Sequence, residues 1–312
     1  MADVTMLEAA DYSEDTKSRV FAKQIVEESP ILEYCPIHTI KGVAYRYPRE
    51  EGLGTVGYRG VGGSYTANAG VIRNEVETLA IAGGEVFLDN YEIQAAGGVE
   101  GIPAIKPHKY QMKARAMGLF TSQEFFEGSK AVDRDGMDGL IRRISGNQLI
   151  NAGSGGATLA LSMLDELIDA VAGGPDALFM NKTLRRKVSA LVRAQTGTAR
   201  IDYSFSERDA FNRQMQAYAG VPIRVIERQD DASTFLEFNE DDGSGNLDTA
   251  SIYAVKFGME YVHMIANGAI PSVKDFGEMQ ARPGHLGRVE WFPGIAIQHP
   301  RAAARLNHIN NA

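Results

Sequence analysis

An α+β fold with mixed sheets is predicted by three features of this 312-residue sequence. Glycine-jointed, β-favouring pieces fill residues 42–101, a helical period of about twenty residues follows Pro107, and a helix, strand, helix succession begins near Leu161. The length is enough for about two domains, or one domain with large extensions. Hydrophobic residues at 44% and charged residues at 23% sit near the averages of soluble globular proteins, which argues against a mostly disordered chain.

Residues 1–30 are polar, with Asp11, Glu14, Asp15, Lys17 and Arg19 ahead of a short amphipathic stretch around Phe21 and Ile25. Pro30 ends that stretch, because the residue before a proline is pushed out of the α region. The expectation is an arm with one helix at most, too poor in apolar surface to fold alone and therefore laid on some other surface. Next come thirteen of the 33 glycines, between Gly42 and Gly101, set among β-favouring pieces at 43–47, 71–79 and 85–88. This reads as a long hairpin followed by another strand. Its middle, 48–70, has few large aliphatic side chains, so it builds no core of its own and points to a partner surface elsewhere.

Pro107 suits the first turn of a helix running to about residue 127, with Tyr110, Ala114, Met117 and Phe120 or Thr121 recurring on its core face and Gly128 as terminator. A rod of about 30 Å results. A short amphipathic piece at 137–144 follows, and the small residues of 151–156 read as a flexible boundary. Leu161, Leu164, Ile168 and Val171 mark the next helix, closed by Gly173-Gly174-Pro175. A strand at 177–180 leads into Asn181 as N-cap of a helix with Leu184, Val188, Leu191 and Val192 on one face. Further strands are expected at 221–227, 234–238, 251–256 and 261–265, and 288–298 reads as one long strand.

Chemistry is hard to find in the chain. Gly52-Leu53-Gly54-Thr55-Val56-Gly57 matches a dinucleotide fingerprint, but Pro48 precedes it and no helix begins within it to hold a pyrophosphate. The acidic run at 239–248 has glycine at the wrong offset for a calcium loop and reads as a solvated turn. Six histidines never pair at zinc-ligand spacing, and Ser154 lacks both the nucleophile elbow and a base. Cys35, the single cysteine, forms no intrachain disulfide and has no basic neighbour to activate it, so it reads as a core residue of a protein folded in a reducing cytoplasm. The basic run Arg185-Arg186-Lys187 reads as a solvated helix face, with a subunit contact as its alternative. No catalytic, cofactor or metal residue is expected.

With 32 Lys+Arg against 40 Asp+Glu the net charge is −8, the wrong sign for a wide grip on a phosphate backbone. No apolar run approaches the roughly 18 residues of a membrane span, and Met1-Ala2-Asp3-Val4 opens without the marks of an export signal.

The order of parts, namely arm, glycine-jointed hairpin, rod helix, compact α/β layer and returning strand, resembles that of tailed-phage major capsid proteins of the Hong Kong phage-type fold. The resemblance covers nearly the whole chain. It is carried by Ser29-Pro30-Ile31-Leu32, the helix from Lys113 with Asp138-Gly139-Leu140 after it, Ala177-Leu178-Phe179-Met180-Asn181, and Gly220-Val221-Pro222-Ile223. Most specific is Arg288-Val289-Glu290-Trp291-Phe292-Pro293-Gly294, continued by Pro300-Arg301-Ala302-Ala303-Ala304-Arg305-Leu306.

The resemblance implies an N-terminal arm (1–38), an extended loop with flanking strands (39–100), a peripheral domain with the spine helix (101–155), an axial domain (156–281) and a C-terminal strand returning to the peripheral domain (282–312). Copies would form hexamers and pentamers of an icosahedral head, assembled in the host cytoplasm and carried in the virion. Packaged double-stranded DNA would be touched only weakly, alongside a portal and a decoration protein. With only about 30 residues before the first core segment, scaffolding is expected from a separate chain. Arg46, Arg49, Tyr58, Arg59, Tyr65 and Arg73 of the extended loop are the implied intersubunit contacts. The namesake's covalent chain mail needs a loop lysine, and none lies between Lys41 and Lys106, so noncovalent contacts are expected. Bacterial encapsulin compartments share this fold and give the alternative reading. A cytoplasmic enzyme with an unrecognised site is the rival from another class.

Overall fold

The computed structural model describes residues 4–97, 102–153, 155–194, 207–208, 214–225, 236–241, 244–245 and 247–311. Its N-terminal segment is no detached arm. β1 (Val4–Thr5) enters α1 (Met6–Asp11) through a capping box, with the Thr5 hydroxyl accepting from the Glu8 amide and the Glu8 carboxylate accepting from the Thr5 amide. α2 (Thr16–Glu28) is capped by Asp15, whose carboxylate accepts from the amides of Lys17 and Ser18. Two helices therefore replace the expected one. Phe21, Ala22, Ile25 and Val26 form the buried stripe of α2, completed by the small side chain of Ser18. That stripe lies on the long helix of residues 102–127, where a Cβ at Gly118 would come 2.8 Å from the Ile25 carbonyl. The short α3 (Ile31–Tyr34) and β2 (Pro36–Thr39) complete this region.

β3 (Ala44–Gly52) and β4 (Val71–Thr78) form the predicted long antiparallel hairpin, with Ala44 opposite Thr78 and Glu50 opposite Ile72. β5 (Ala82–Asp89) and the Asp89-capped α4 (Asn90–Ala95) follow. The rod helix α5 (Ile102–Glu127) begins before Pro107, which sits inside its second turn. Its core stripe runs through Ala114, Met117, Thr121, Ser122 and Phe125, with Tyr110 half-buried. Phe120, expected in that stripe, is 50% exposed; it lies between two core positions, and Thr121 turns inward instead because its hydroxyl donates to the Met117 carbonyl at 2.8 Å.

After α6 (Leu140–Arg143) and β6 (Leu149–Asn151), the α/β layer opens with α7 (Leu161–Ala170), β7 (Ala177–Phe179) and α8 (Lys182–Ala194). Asn181 caps α8 as expected, its Oδ1 accepting from the Leu184 amide at 2.7 Å. β8 (Glu207–Arg208), β9 (Gln214–Tyr218), β10 (Val221–Arg224) and β11 (Thr249–Val255) follow. Then come β12 (Val262–Ala266), β13 (Ser272–Glu278), β14 (Gly284–Trp291), β15 (Pro293–Ile297) and β16 (Ala303–Asn310).

A seven-stranded sheet, ordered β6-β16-β11-β7-β10-β9-β8, is the centre of the molecule. Period-two alternation divides its side chains between two cores. Ala177, Phe179, Tyr253 and Val255 face one core with Phe125, Phe126 and Trp291; Leu178, Met180, Ile252 and Ala254 face the other with Leu164, Leu167 and Leu184. Burial on both faces explains the apolar runs Ala177–Phe179 in β7 and 252–255 in β11. The remaining sheets are β1-β2-β12-β15, β13-β14-β5 and the β3-β4 hairpin.

Several expected boundaries move. The strand expected over 288–298 is two strands in different sheets, separated at Phe292 by Pro293, which has no amide to continue a ladder. β16 runs in the seven-stranded sheet between β6 of segment 101–155 and β11, and β12 and β13 of the expected axial segment belong to the sheets built with the N-terminal half. The supposed flexible boundary is tied down: Ala152 and Ala157 donate their amides to the carbonyls of Asn307 and His308 at 3.1 and 3.0 Å. Of the strand expected at 234–238, residues 236–238 are irregular, with Leu236 at φ +62°, and 234–235 lie outside the described residues, as do 226–227.

Candidate assembly interface

The β3–β4 hairpin has a fixed root. Tyr47 is buried between Ile265 and Ala296, and its hydroxyl accepts from the Ile297 amide at 3.3 Å. Burial pushes the Tyr47 pKa up, so the phenol stays neutral. Tyr45 stacks on Tyr47 with ring centroids 5.6 Å apart, and the Ala80 amide donates to the Pro293 carbonyl at 2.9 Å. On the other edge Arg143 grips Glu77 with both terminal nitrogens, and Lys130 Nζ donates to Thr78 Oγ1 at 3.0 Å.

Its tip is different. Leu53, Val56, Tyr58 and Val61 are all exposed, Val56 completely. Yet the tip holds its own shape. The Arg59 guanidinium lies 5.2 Å from the centroid of the Tyr65 ring and donates through Nη1 to the Gly63 carbonyl at 3.0 Å, while Asn68 Nδ2 donates to Thr55 Oγ1 at 3.0 Å. A Cβ at Gly70 would lie 2.7 Å from the Gly52 carbonyl, so glycine is what lets the two strands close below the tip. The tip thus holds four large apolar side chains away from the core of its own chain.

The six loop residues singled out by sequence divide by what they touch. Arg59 and Tyr65 engage each other, and Arg73 pairs with Glu51 at 3.0 Å and Glu75 at 3.7 Å, so these three shape the hairpin itself. Tyr58 points into solvent. Arg46 and Arg49 have no ion pair among the described residues.

Sequence reasoning missed a cleft of about 530 Å³ at the hairpin root, lined by Arg49, Arg143 and Arg301 with Ile144, Ile297 and Pro300 among them. Arg301 donates Nε and Nη2 to the carbonyls of Ala170 and Asp169, each at 3.2 Å, and so caps the C-terminus of α7. Three separate stretches of chain supply these side chains, so no local pattern announces them.

Among the described residues no group of three or more His, Cys, Asp or Glu is arranged to hold a metal ion, and no helix is long and apolar enough to cross a membrane. The glycine fingerprint at 52–57 lies in the hairpin, without a helix. Cys35 is buried, and burial pushes its thiol pKa up, which disfavours the thiolate. Within the basic run on α8, Lys187 Nζ donates to the Asn310 carbonyl at 3.1 Å and fastens the helix to the end of β16. Residue 154 lies outside the described residues, as does part of the acidic run at 239–248, in which Glu240 accepts from Arg305 and Ser251.

No protein-family model and no curated protein sequence matches the chain. Its architecture is shared with solved shell structures. A chain of the holo-SrpI encapsulin complex from Synechococcus elongatus PCC 7942 superposes with a TM-score of 0.63 at 12% identity, covering 88% of this chain and 85% of that one. A chain of Microbacterium phage Oxtober96 gives 0.60 at 14% identity, over 89% and 90% of the two chains. The capsid of the native GTA particle gives 0.57 at 13% identity, over 89% of each. What is shared at such identities is the fold, an α+β fold found in capsids and encapsulins. It is the Hong Kong phage-type capsid fold that the quoted segments imply.

Proposed function

We propose that this chain is a shell-forming structural subunit, the major capsid protein of a tailed-phage head, which assembles into hexamers and pentamers around double-stranded DNA. The observation that carries the reading is the hairpin tip, prebuilt by the Arg59–Tyr65 clip yet resting its apolar side chains on nothing of its own chain. Full burial of one such side chain stabilises by roughly 1.5 to 3 kcal/mol, so docking of Leu53, Val56, Tyr58 and Val61 on a neighbour is a strong driving force. The role is mechanical, without catalysis or cofactor. A net charge of −8 suits a container whose DNA has to slide during packaging, because few phosphates are gripped through released counterions. In this reading a scaffolding protein, a portal and a decoration protein are separate chains, and the subunit assembles in the host cytoplasm before residing in the virion.

The likeness to the SrpI encapsulin supports a second reading, a bacterial compartment shell. Contents separate the two. Nuclease-protected double-stranded DNA inside purified particles supports the phage head, and a protein cargo with no protected DNA supports the compartment. Deletion of residues 52–68 tests the shell role shared by both: the subunit should keep its cooperative melt and fail to form closed particles. Particles of normal size from the deleted chain would remove the hairpin from the account.

A further inference from the structure

The bend between β12 and β13 joins two sheets through a chemically labile pair, Asn267-Gly268, the only Asn-Gly dipeptide of the sequence. Asn267 is exposed, and its side-chain amide makes no hydrogen bond among the described residues. Gly268 has φ +112°, a backbone that residues with a Cβ rarely adopt, so glycine is required there. Its main-chain amide donates no hydrogen bond among the described residues either.

The rest of the bend is held in place. Ala269 and Ile270 pack against the main core, and Trp291 Nε1 donates to the Gly268 carbonyl at 3.1 Å. Trp291 is buried, so this carbonyl satisfies an indole donor that water does not reach. The unengaged side-chain amide of Asn267 and the unengaged nitrogen of Gly268 are therefore neighbours in an anchored turn, with no Cβ beside the nitrogen to obstruct their meeting.

We propose that Asn267 is a self-modification site, at which the folded chain converts its own asparagine to aspartate and isoaspartate, and that the isoaspartate product unseats Trp291. The Gly268 nitrogen bonds to Asn267 Cγ, and the side-chain nitrogen leaves as ammonia with the proton that Gly268 gives up, closing a succinimide ring. Water then adds to one ring carbonyl and the C–N bond at that carbon breaks. Opening at Cγ gives aspartate. Opening at the main-chain carbonyl gives isoaspartate, whose backbone runs through Cβ and Cγ and is one atom longer, so the Gly268 carbonyl moves off the indole. Water is the only co-reactant, and either product adds one negative charge to the −8 of the chain. The bend lies just beyond Ile265 of β12, against which Tyr47 of the hairpin root is buried, so ageing alters each subunit beside the joint on which its hairpin stands.

Peptide mapping by mass spectrometry is the test, on the full folded chain aged in mildly alkaline heavy-oxygen water and digested at acid pH. The peptide bearing Asn267 should gain acid forms with one heavy oxygen about tenfold faster than any other asparagine peptide, since glycine leaves the attacking nitrogen unobstructed. Asn267→Gln should abolish the change and keep the melt of fresh wild type, because the exposed side chain that it replaces bonds to nothing among the described residues. Trp291 is the only tryptophan, so indole emission reports on it alone; it should shift to the red as wild type ages and stay fixed in Asn267→Gln. An intact Asn267 peptide in the folded chain, while a urea-unfolded sample converts, overturns the proposal because the fold then protects the site. Conversion at the common rate of all asparagines also overturns it. Full conversion with unchanged indole emission overturns the link to Trp291. None of these outcomes bears on the shell reading.

Discussion

Glu77 near the end of β4 and Arg143 at the close of α6 meet as a two-pronged ion pair in a nearly buried site, with Arg143 Nη2 donating to Glu77 Oε2 at 2.8 Å and Nη1 donating to Oε1. Arg143 Nε also donates to the Asp138 carbonyl at 2.7 Å, so the guanidinium joins hairpin, turn and short helix. Burial lowers the Arg143 pKa and the bond to Glu77 raises it; the net shift is upward, so the guanidinium keeps its charge. The hairpin is thereby fixed at its root while the apolar side chains of its tip stay exposed.

Removing one partner of this pair leaves an uncompensated, nearly buried charge. Arg143→Ala should lower stability by about 3 kcal/mol, whereas the double change Glu77→Leu with Arg143→Met should recover most of the loss. Urea melts of the three variants check this. A loss below about 0.5 kcal/mol for Arg143→Ala would mean that the fork holds nothing in place.

The two faces of α5 should respond differently to truncation. Met117→Ala, in the core between α5 and its neighbours, should cost about 2 to 5 kcal/mol, and Phe120→Ala, half exposed, should cost less than about 1 kcal/mol. Equal costs in denaturant melts would contradict the orientation of the helix. A selective assembly defect in Phe120→Ala would place that ring on a subunit contact.

Phe120 shows where sequence legibility stops. The three-to-four spacing from Tyr110 fits Phe120 and Thr121 equally, and hydropathy favours the phenylalanine, whereas the helix turns the threonine inward and satisfies its hydroxyl on its own backbone. The N-terminal helices were obscured in the same way, because Ser18 and Ala22 complete the core stripe of α2 with small side chains that carry little hydrophobic signal. The hairpin, α8 with its Asn181 cap and the central strands were legible, since each carries its signal within a few consecutive residues. Strand β13 was not, because Ser272–Glu278 is mostly exposed and has no apolar alternation strong enough to register. The cleft at Arg49 and Arg301 is a product of tertiary structure, from residues about 250 positions apart.

Glu124 gives a pH dependence with a definite sign. Burial first, then the charges of Asp133 and Glu127, push its carboxyl pKa above the usual range, so the folded state holds a proton more tightly than the unfolded chain. Stability from this group is therefore lost as pH rises from the unfolded carboxylate pKa through the raised one. Glu124→Gln should raise the melting temperature at pH 7, with the gain shrinking as pH falls toward 4. A glutamine variant less stable at pH 7 would show that the charge is needed.

Mature particles should be held together without covalent crosslinks. The stretch between Lys41 and Lys106 contains no lysine, and the exposed tip offers only the guanidinium of Arg59 in place of a primary amine. Boiled denaturing gels should show one band near 33.9 kDa. A ladder of heavier species that survives reductant would contradict this.

Particle mass tests the central claim most directly. The protein, purified alone and after coexpression with its genomic neighbours, should sediment as capsomers or megadalton shells, and negative-stain images of the heavy fraction should show closed, evenly sized particles. A stable 33.9 kDa monomer under every condition would contradict the account.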